Sequence, residues 1–348
     1  MNRMGQRLIA ASALGKIDEM KGLLGQGASI NARDRTDSSS LHYAAVIGSA
    51  EAVSLLIAAG ADIELKDETG ATPLFRAAEW GTLQTVVSLL GYGADVKKTN
   101  FRGSTPLHRA ISRSATKIAL AFIGAGADIN ARDREGRTPL HFSVSHKRTD
   151  VMDALIQCGV DVDVRDGDGR SALNWAACEG ELVSLCVLMA AGADVQSQDD
   201  DGITALHHAA SNGYTDLVLA LIEGGCVVDA TDNKGASPLY MASYNSKRLT
   251  ALALMSYGAK DNPSIYLGCL PDLEGLTMRQ AAIQGGLLDR LKTLLESHPP
   301  QADDDAPVTL VEFAVKHSHS GAAALLHAHM AARAIEEVLP PHISLRTA

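Results

Sequence analysis

The sequence predicts an all-α solenoid assembled from one helical unit that is repeated along the chain. Seven leucines recur at one constant interval: Leu41, Leu74, Leu107, Leu140, Leu173, Leu206 and Leu239. Seven glycines follow them, each at the same distance from its leucine: Gly60, Gly93, Gly126, Gly159, Gly192, Gly225 and Gly258. Because both sets keep one phase, the chain is an array of one unit rather than a series of unrelated domains. We number the repeats one to seven after these leucines.

The first helix of each repeat is marked by a short phrase that contains the leucine. Its copies are Thr72-Pro73-Leu74, Thr105-Pro106-Leu107-His108 and Thr138-Pro139-Leu140-His141, with Thr204-Ala205-Leu206-His207 and Ser237-Pro238-Leu239 as looser ones. The hydroxyl caps a free backbone N–H, and Pro at the first helical position gives up a donor that had no partner. In repeat two the helix is therefore expected from about Thr72 to Trp80, ending at Gly81, a residue suited to a left-handed turn.

A second helix and a loop complete each repeat. In repeat two, apolar residues recur with helical spacing from Leu83 to Leu90 and stop at Gly93. The loop contains Asp67-Glu68-Thr69-Gly70 in repeat two and Asp133-Arg134-Glu135-Gly136 in repeat four, and Asp followed by Gly at this spacing predicts a tight turn. Each repeat is thus helix, turn, helix and extended loop.

These phrases resemble the ankyrin-repeat family, whose unit has about 33 residues and carries the Thr-Pro-Leu-His signature. The resemblance covers nearly the whole chain, in about ten repeats. It implies an ankyrin-repeat α-solenoid in which the turns project as short hairpin-loop fingers beside the first helices and form a concave face. Small residues such as Ala44-Ala45 and Ala77-Ala78 suit the close approach of neighbouring first helices.

The period also predicts how the chain is divided. We expect an N-terminal capping repeat over 1–35, seven regular repeats over 36–262, an inserted loop over 263–275, two degenerate C-terminal repeats over 276–330 and a C-terminal helix and tail over 331–348. A polar connector at 298–305 separates the two degenerate repeats. All of this is expected to form one elongated domain.

Composition limits the functional classes. The net charge of −10 argues against a broad nucleic-acid footprint, which is normally basic. No apolar run approaches the ~20 residues that span a bilayer, and the N-terminus lacks the pattern of a secretion signal. The five cysteines show no paired spacing for a metal or redox site, which favours reduced thiols. We therefore expect a cytoplasmic protein with no membrane, nucleic-acid or cofactor partner.

Candidate catalytic and metal-binding residues have structural explanations. His42, His108, His141 and His207 all follow the repeat leucine, so we expect them to brace turns by hydrogen bonding. His327 and His329 would face different sides of a helix and could not chelate one metal together. A site made from one of them and one of His317 and His319 stays open. No phosphate loop, nucleophile elbow or zinc-protease helix is present, so we expect neither an enzyme nor a resident metal.

The family resemblance implies where a partner would bind. Its variable positions lie beside the turn glycine and after the paired small residues of the first helix. Carried over repeat by repeat, they predict these partner-binding residues: Glu79, Trp80, Phe101, Arg102, Arg113, Arg134, Arg137, His146 and Arg170. Trp and Arg are residue types that often dominate binding energy. Next to Trp80 and Phe101, the arginines form a basic stretch within an acidic protein: Arg102, Arg113, Arg134 and Arg137.

Two functional hypotheses follow. The first is a noncatalytic protein-interaction module, acting as an adaptor, scaffold or inhibitor, that holds a protein partner with an acidic segment on repeats two to five. The second is small-ligand or nucleotide binding around Trp80, Arg102 and Arg113, where a ring could stack and guanidinium groups could hold phosphate. A structural alternative is that Trp80 packs on the neighbouring helix while the arginines are solvated or pair with Glu79 and Glu135.

Three repeats depart from the pattern at the end of the first helix. Ser114, Lys147 and Ser246 replace the closing glycine of repeats three, four and seven. A left-handed backbone is unfavourable for a residue with a side chain. Either these turns have another shape or some stability is lost there.

Overall fold

The computed structural model of the protein describes residues 3–260, 276–297, 307–326 and 328. They belong to two compact units, one ending at Asp200 and the other beginning at Asp201. The regular structure of the described residues is helical, and the helices come in pairs that follow the predicted period. The expected all-α solenoid is confirmed.

The first compact unit contains twelve of the described helices. They are α1 (Arg3–Ala13), α2 (Ile17–Gly25), α3 (Ser40–Val46), α4 (Ala50–Ala58), α5 (Pro73–Trp80), α6 (Leu83–Gly91), α7 (Pro106–Ser112), α8 (Thr116–Gly124), α9 (Pro139–Ser145), α10 (Thr149–Gln157), α11 (Ala172–Glu179) and α12 (Leu182–Ala190).

The second compact unit continues with the same alternation. Its helices are α13 (Ala205–Asn212), α14 (Thr215–Glu223), α15 (Pro238–Tyr244), α16 (Arg248–Ser256), α17 (Met278–Gln284), α18 (Leu288–Ser297) and α19 (Pro307–Lys316), and residues 320–326 are helical as well.

The predicted caps begin the first helices. Thr72 Oγ1 accepts a hydrogen bond from the backbone N–H of Phe75 at 3.3 Å, and Ser237 Oγ accepts one from Tyr240 at 3.1 Å. In both helices proline occupies the first turn, where its missing N–H is not needed. Helix α5 spans the residues expected from the sequence.

The repeat leucines form the centre of the core. All seven, and Leu8 before them, are at most 2% exposed. Paired small residues, such as Ala44 and Ala45 in α3 and Ala77 and Ala78 in α5, are also fully buried. Within the first compact unit α3 packs on α5, α5 on α7 and α7 on α9, so each repeat is covered by the next.

The turns form a row of hairpin fingers joined by backbone hydrogen bonds. The N–H of Phe101 donates to the carbonyl of Thr69 at 2.9 Å, and the N–H of Arg134 donates to that of Arg102 at 2.9 Å. Inside a finger the buried aspartate closes the turn, since Asp67 Oδ1 accepts hydrogen bonds from the N–H groups of Thr69 and Ala71. Adjacent repeats are thereby held in register at their fingers.

The four repeat histidines brace neighbouring repeats, as expected. His42 Nδ1 accepts from the backbone N–H of Ser39 at 3.1 Å, and its Nε2–H donates to the carbonyl of Ala71 at 3.1 Å. Equivalent bonds join His108 to Arg137, His141 to Arg170, and His207 to Ala236. Each histidine therefore links its first helix to the following finger.

The turns between the paired helices resolve the alternative that the sequence left open. Ser114, Lys147 and Ser246 adopt the left-handed backbone, with φ of 56°, 55° and 56°. These turns keep the shape of the glycine turns, and the cost is local strain.

Gly81 behaves in the opposite way, and the expected left-handed turn at this residue is wrong. Its φ is −78° and its ψ is −170°, an extended conformation open to any residue. Glycine is needed because a Cβ would lie 2.6 Å from the carbonyl oxygen of Ala45 and 2.8 Å from that of Ala77. The close approach of two first helices selects this glycine.

Several expectations lie outside the described residues. These are the inserted loop at 263–275, the connector at 298–305, the tail from 331 onward, and His327 and His329. The proposed division into repeats and caps stays a prediction.

Replacing Ser114 by glycine should stabilise the protein by about 0.5–1 kcal/mol, because glycine adopts φ of 56° without strain and only part of this gain is offset by greater unfolded-state freedom. Urea denaturation followed by circular dichroism measures the change. The reciprocal control is Gly180→Ser in repeat five, where φ is 76°. This variant should be less stable than the wild type. Equal stability of Ser114→Gly and the wild type would contradict the strain.

Lowering the pH should reduce the free energy of unfolding, because the buried histidines resist protonation in the folded protein. Burial lowers the pKa of His108 from 6.5 to about 4, against a smaller opposing effect of its hydrogen bond to Arg137. Below pH 6.5 the unfolded chain binds a proton that the folded chain does not, so stability is lost as pH falls from about 6.5 to about 4, by up to roughly 3 kcal/mol for this residue.

The test is a series of urea midpoints between pH 7 and pH 4. His108→Asn is the variant, because Asn174 occupies the same position in repeat five, where its Oδ1 accepts the N–H of Ser171 as His108 Nδ1 accepts that of Thr105. We expect a shallower pH dependence for His108→Asn; a slope identical to that of the wild type would exclude His108 as a contributor.

Candidate functional site

A cavity of about 390 Å³ lies where the fingers meet the first helices of repeats two to four. The helices α5, α7 and α9 supply Arg76, Glu79, Arg109 and Phe142 to its lining, and His146 lines it just after α9. The fingers supply Asn100, Arg102, Ser104 and Arg137. Four of the nine predicted site residues, namely Glu79, Arg102, Arg137 and His146, therefore share one cavity.

Glu79 is the centre of a charged network that crosses two repeats. Its carboxylate accepts hydrogen bonds from Arg76 Nη1 at 2.7 Å and from Arg109 Nη2, and only 8% of the residue is exposed. Arg76 also binds Asp67 through Nε at 2.8 Å. Burial opposes ionisation of Glu79, but the hydrogen bonds from Arg109 and Arg76 outweigh it and lower its pKa.

Trp80 and Arg113 form an exposed stack at the ends of α5 and α7. The guanidinium carbon of Arg113 lies 4.0 Å from the centroid of the Trp80 ring, which is the geometry of a cation–π contact. Trp80 is 54% exposed, and it lines a second cavity of about 180 Å³ together with Tyr43 and Val46 of α3. It therefore borders a gap beside the neighbouring first helix and presents about half of its surface to solvent.

Phe101, Arg102 and Arg134 lie at the tips of adjacent fingers. Phe101 is 54% exposed, and its ring covers Gly70 of the preceding finger, where a Cβ would be 2.6 Å from Phe101 Cδ1. Within the described part of the chain, no carboxylate forms an ion pair with Arg102, Arg113 or Arg134. Their positive charge is directed to solvent.

Arg137 and His146 are engaged within the protein. Arg137 pairs with Asp133 at 2.8 Å and with Glu135 at 2.7 Å, and its guanidinium lies 4.9 Å from the centroid of the Phe142 ring. His146 also stacks on Phe142, with ring centroids 6.0 Å apart and an interplanar angle of 2°. The pairing of Arg137 with Glu135 agrees with the structural alternative.

Arg170 lies in the finger of repeat five, the repeat that follows those lining this cavity. Its guanidinium lies 3.7 Å from Asp168 and 3.7 Å from the buried Asp199. Arg170 therefore forms ion pairs with aspartates of the turns. It does not line the cavity that holds Arg102 and Glu79.

The comparison with protein-family models decides the family. Ankyrin repeats (3 copies) match the chain at residues 8–100, 41–133, 85–166, 107–199 and 173–265. The chain belongs to the ankyrin-repeat family. No curated protein matches it significantly. Ankyrin repeats are generally modules for protein–protein interaction and are typically noncatalytic.

Sequence reasoning missed one recurring position that lines the 390 Å³ cavity, occupied by Arg76, Arg109 and Phe142. They occupy one position in successive repeats, two residues after the leucine of the signature phrase. A signal was present, because Arg76 stands one helical turn before Glu79 and Arg109 stands one full repeat after Arg76. The candidate positions carried over from the family did not include this one.

Other functional sites find no support in the residues that the structure covers. There, no group of three or more His, Cys, Asp or Glu side chains could hold a metal ion. The same residues include no helix long and apolar enough to cross a membrane. His317 and His319 lie within this part of the chain, on the turn that follows α19.

Glu79→Gln should destabilise the ankyrin stack by about 1–2 kcal/mol, because two partly buried guanidinium groups lose their shared carboxylate. Thermal or urea denaturation at pH 7 measures the loss. Glu68→Gln is the matched control, since Glu68 is exposed on the finger of the same repeat and makes no ion pair among the described residues. Equal stability of the two variants would show that the network contributes little.

Proposed function

We propose that this ankyrin-repeat chain is a noncatalytic cytoplasmic interaction module, an adaptor, scaffold or inhibitor. Its partner is a protein that lies on the concave face of repeats two to five and places an acidic segment against the arginines. The observation that carries the proposal is the group of three arginines without carboxylate partners, Arg102, Arg113 and Arg134, beside the half-exposed rings of Trp80 and Phe101.

The stack of Arg113 on Trp80 suits a binding anchor. Both side chains can rotate when they are isolated, and the cation–π contact holds them together before a partner arrives. A partner therefore meets an apolar ring and a cation that have already lost part of their conformational freedom, which lowers the entropic cost of binding.

The finger arginines supply the charge that complements an acidic partner. Arg102 and Arg134 belong to adjacent fingers joined by a backbone hydrogen bond, so their spacing is fixed by the ankyrin stack. The net charge of −10 repels an acidic segment from most of the chain, whereas the local positive charge of these arginines attracts it to this face.

Small-ligand or nucleotide binding around Trp80 and Arg102 is the second candidate. Its support is that both residues line cavities. These are two different cavities, however, of about 180 Å³ and about 390 Å³, and one face of Trp80 is covered by Arg113. A ligand that needs both the ring and Arg102 is therefore less well accommodated than an extended protein surface.

The test is capture of the natural partner, identified by mass spectrometry with the wild-type protein as bait. The variant carries Trp80→Ala, Arg113→Glu and Arg134→Glu, and leaves Arg137 intact because Arg137 pairs with Asp133 inside its finger. We expect capture to fall by more than about tenfold, since aromatic and arginine anchors dominate interface energy.

A matched control makes similar changes on the second helices and the turn after α6: Tyr92→Ala, Lys21→Glu and Lys117→Glu. These residues are exposed, and capture should be retained. Equal capture by both triple variants, with unchanged circular dichroism, would refute the site. Quenching of tryptophan fluorescence by a nucleotide without any protein partner would favour the second candidate.

A further inference from the structure

The finger of repeat three departs from the other fingers at the residue that opens the turn. The residue that opens the turn is aspartate in the other regular repeats: Asp34, Asp67, Asp133, Asp166, Asp199 and Asp232. In repeat three it is Asn100, which makes the same two turn bonds: its Oδ1 accepts from the N–H of Arg102 at 2.9 Å and from that of Ser104 at 3.0 Å. The turn is kept and a negative charge is removed.

The missing carboxylate changes the charge balance of the 390 Å³ cavity. In repeats two and four the turn aspartate pairs with an arginine that lines this cavity, Asp67 with Arg76 and Asp133 with Arg137. Arg109, also in the lining, is paired with Glu79. Arg102 is left as the surplus positive charge of the lining.

The same finger directs hydrogen-bond donors to this cavity. Asn100, Arg102 and Ser104 stand at alternate positions of the turn and all line it. Because Oδ1 of Asn100 accepts the turn bonds, the two N–H groups of its Nδ2 are oriented away from the turn and remain as donors. The guanidinium of Arg102 and the hydroxyl of Ser104 have no hydrogen-bond acceptor in the described part of the chain.

We propose that this cavity binds the phosphate group of a phosphorylated side chain on the partner, so that phosphorylation switches the interaction on. This inference rests on the proposed function, because the phosphate belongs to the protein that lies on repeats two to five. The site consists of Asn100, Arg102 and Ser104, and Phe142 and His146 line the cavity beside them.

Phosphate fits this donor set better than a carboxylate does. Asn100, Arg102 and Ser104 offer donors from three side chains, and a phosphomonoester presents three acceptor oxygens and a charge of about −1.5 to −2. A carboxylate has two oxygens in one plane and one charge, which would leave part of the donor set without an acceptor. The Phe142 ring, on which His146 stacks, gives the carbon stem an aromatic surface.

The experiment uses phenyl phosphate as the probe and benzoate as its carboxylate counterpart, titrated into the full chain by calorimetry at fixed ionic strength and pH 7.5. We expect phenyl phosphate to bind the wild type at least about tenfold more tightly than benzoate, because charge and donor count both favour it.

Asn100→Asp is the decisive variant. It restores the turn residue of the other repeats, so the finger should fold unchanged, and it places a carboxylate at the site. We expect phenyl phosphate affinity to fall by about tenfold or more in Asn100→Asp and in Arg102→Ala. Arg35→Ala is the control, because Arg35 is an exposed finger arginine of repeat one, and it should bind as the wild type does.

Equal binding of phenyl phosphate to Asn100→Asp and wild type overturns this inference, and so does equal affinity for benzoate and phenyl phosphate. Either result leaves the proposed function to be decided by capture with the Trp80, Arg113 and Arg134 variant. Loss of partner capture in that variant with no phosphate binding would mean that the partner uses an acidic segment alone.

Discussion

Within each compact unit, the packing of neighbouring first helices against one another is the interaction on which the rest of the structure depends. The leucines and the paired small residues are buried because each first helix packs on the second helix of its own repeat and also on a neighbouring first helix. Close contact through residues as small as Ala44, Ala45, Ala77 and Ala78 fixes the distance between helices. A fixed distance between the helices also fixes the spacing of the fingers, which form backbone hydrogen bonds with one another. It places each repeat histidine within hydrogen-bonding distance of the following finger.

Because the helices pack at a fixed distance, the period of the sequence determines which side chains lie next to each other on the surface. Residues one period apart become neighbours, so a side chain on one first helix meets its counterpart on the next. Glu79 and Arg109 lie in different repeats of the sequence and share a hydrogen bond across them. The same geometry stacks Arg113 on Trp80 and brings the finger residues Arg102 and Arg134 side by side. A charge placed at one variable position therefore acts mainly on the repeats before and after it.

Sequence predicted the helices, caps, fingers and histidine braces because each depends on a local pattern that recurs. It predicted the network around Glu79 less well, since which arginine takes which carboxylate depends on contacts between repeats. Gly81 shows the same limit: a helix-ending glycine indicates a left-handed turn locally, but here the carbonyl of Ala45 in the preceding repeat requires it. Ser114 and Lys147 adopt the left-handed backbone of the glycine turns although both carry side chains, so the preference of the single residue did not decide the shape of these turns.

Asn100 shows how such a fold separates stability from recognition. The two backbone bonds that close a finger need one side-chain oxygen, which asparagine and aspartate both supply. The second group on the same carbon is not needed for the turn, and in repeat two it pairs with a helix arginine while in repeat three it is an amide donor. Exchanging oxygen for NH₂ therefore changes the charge that a partner meets and leaves the stacking of the first helices as it was. At such a position one atom of the side chain is needed for the fold and another is not. A repeat protein can therefore change its specificity there at small cost in stability.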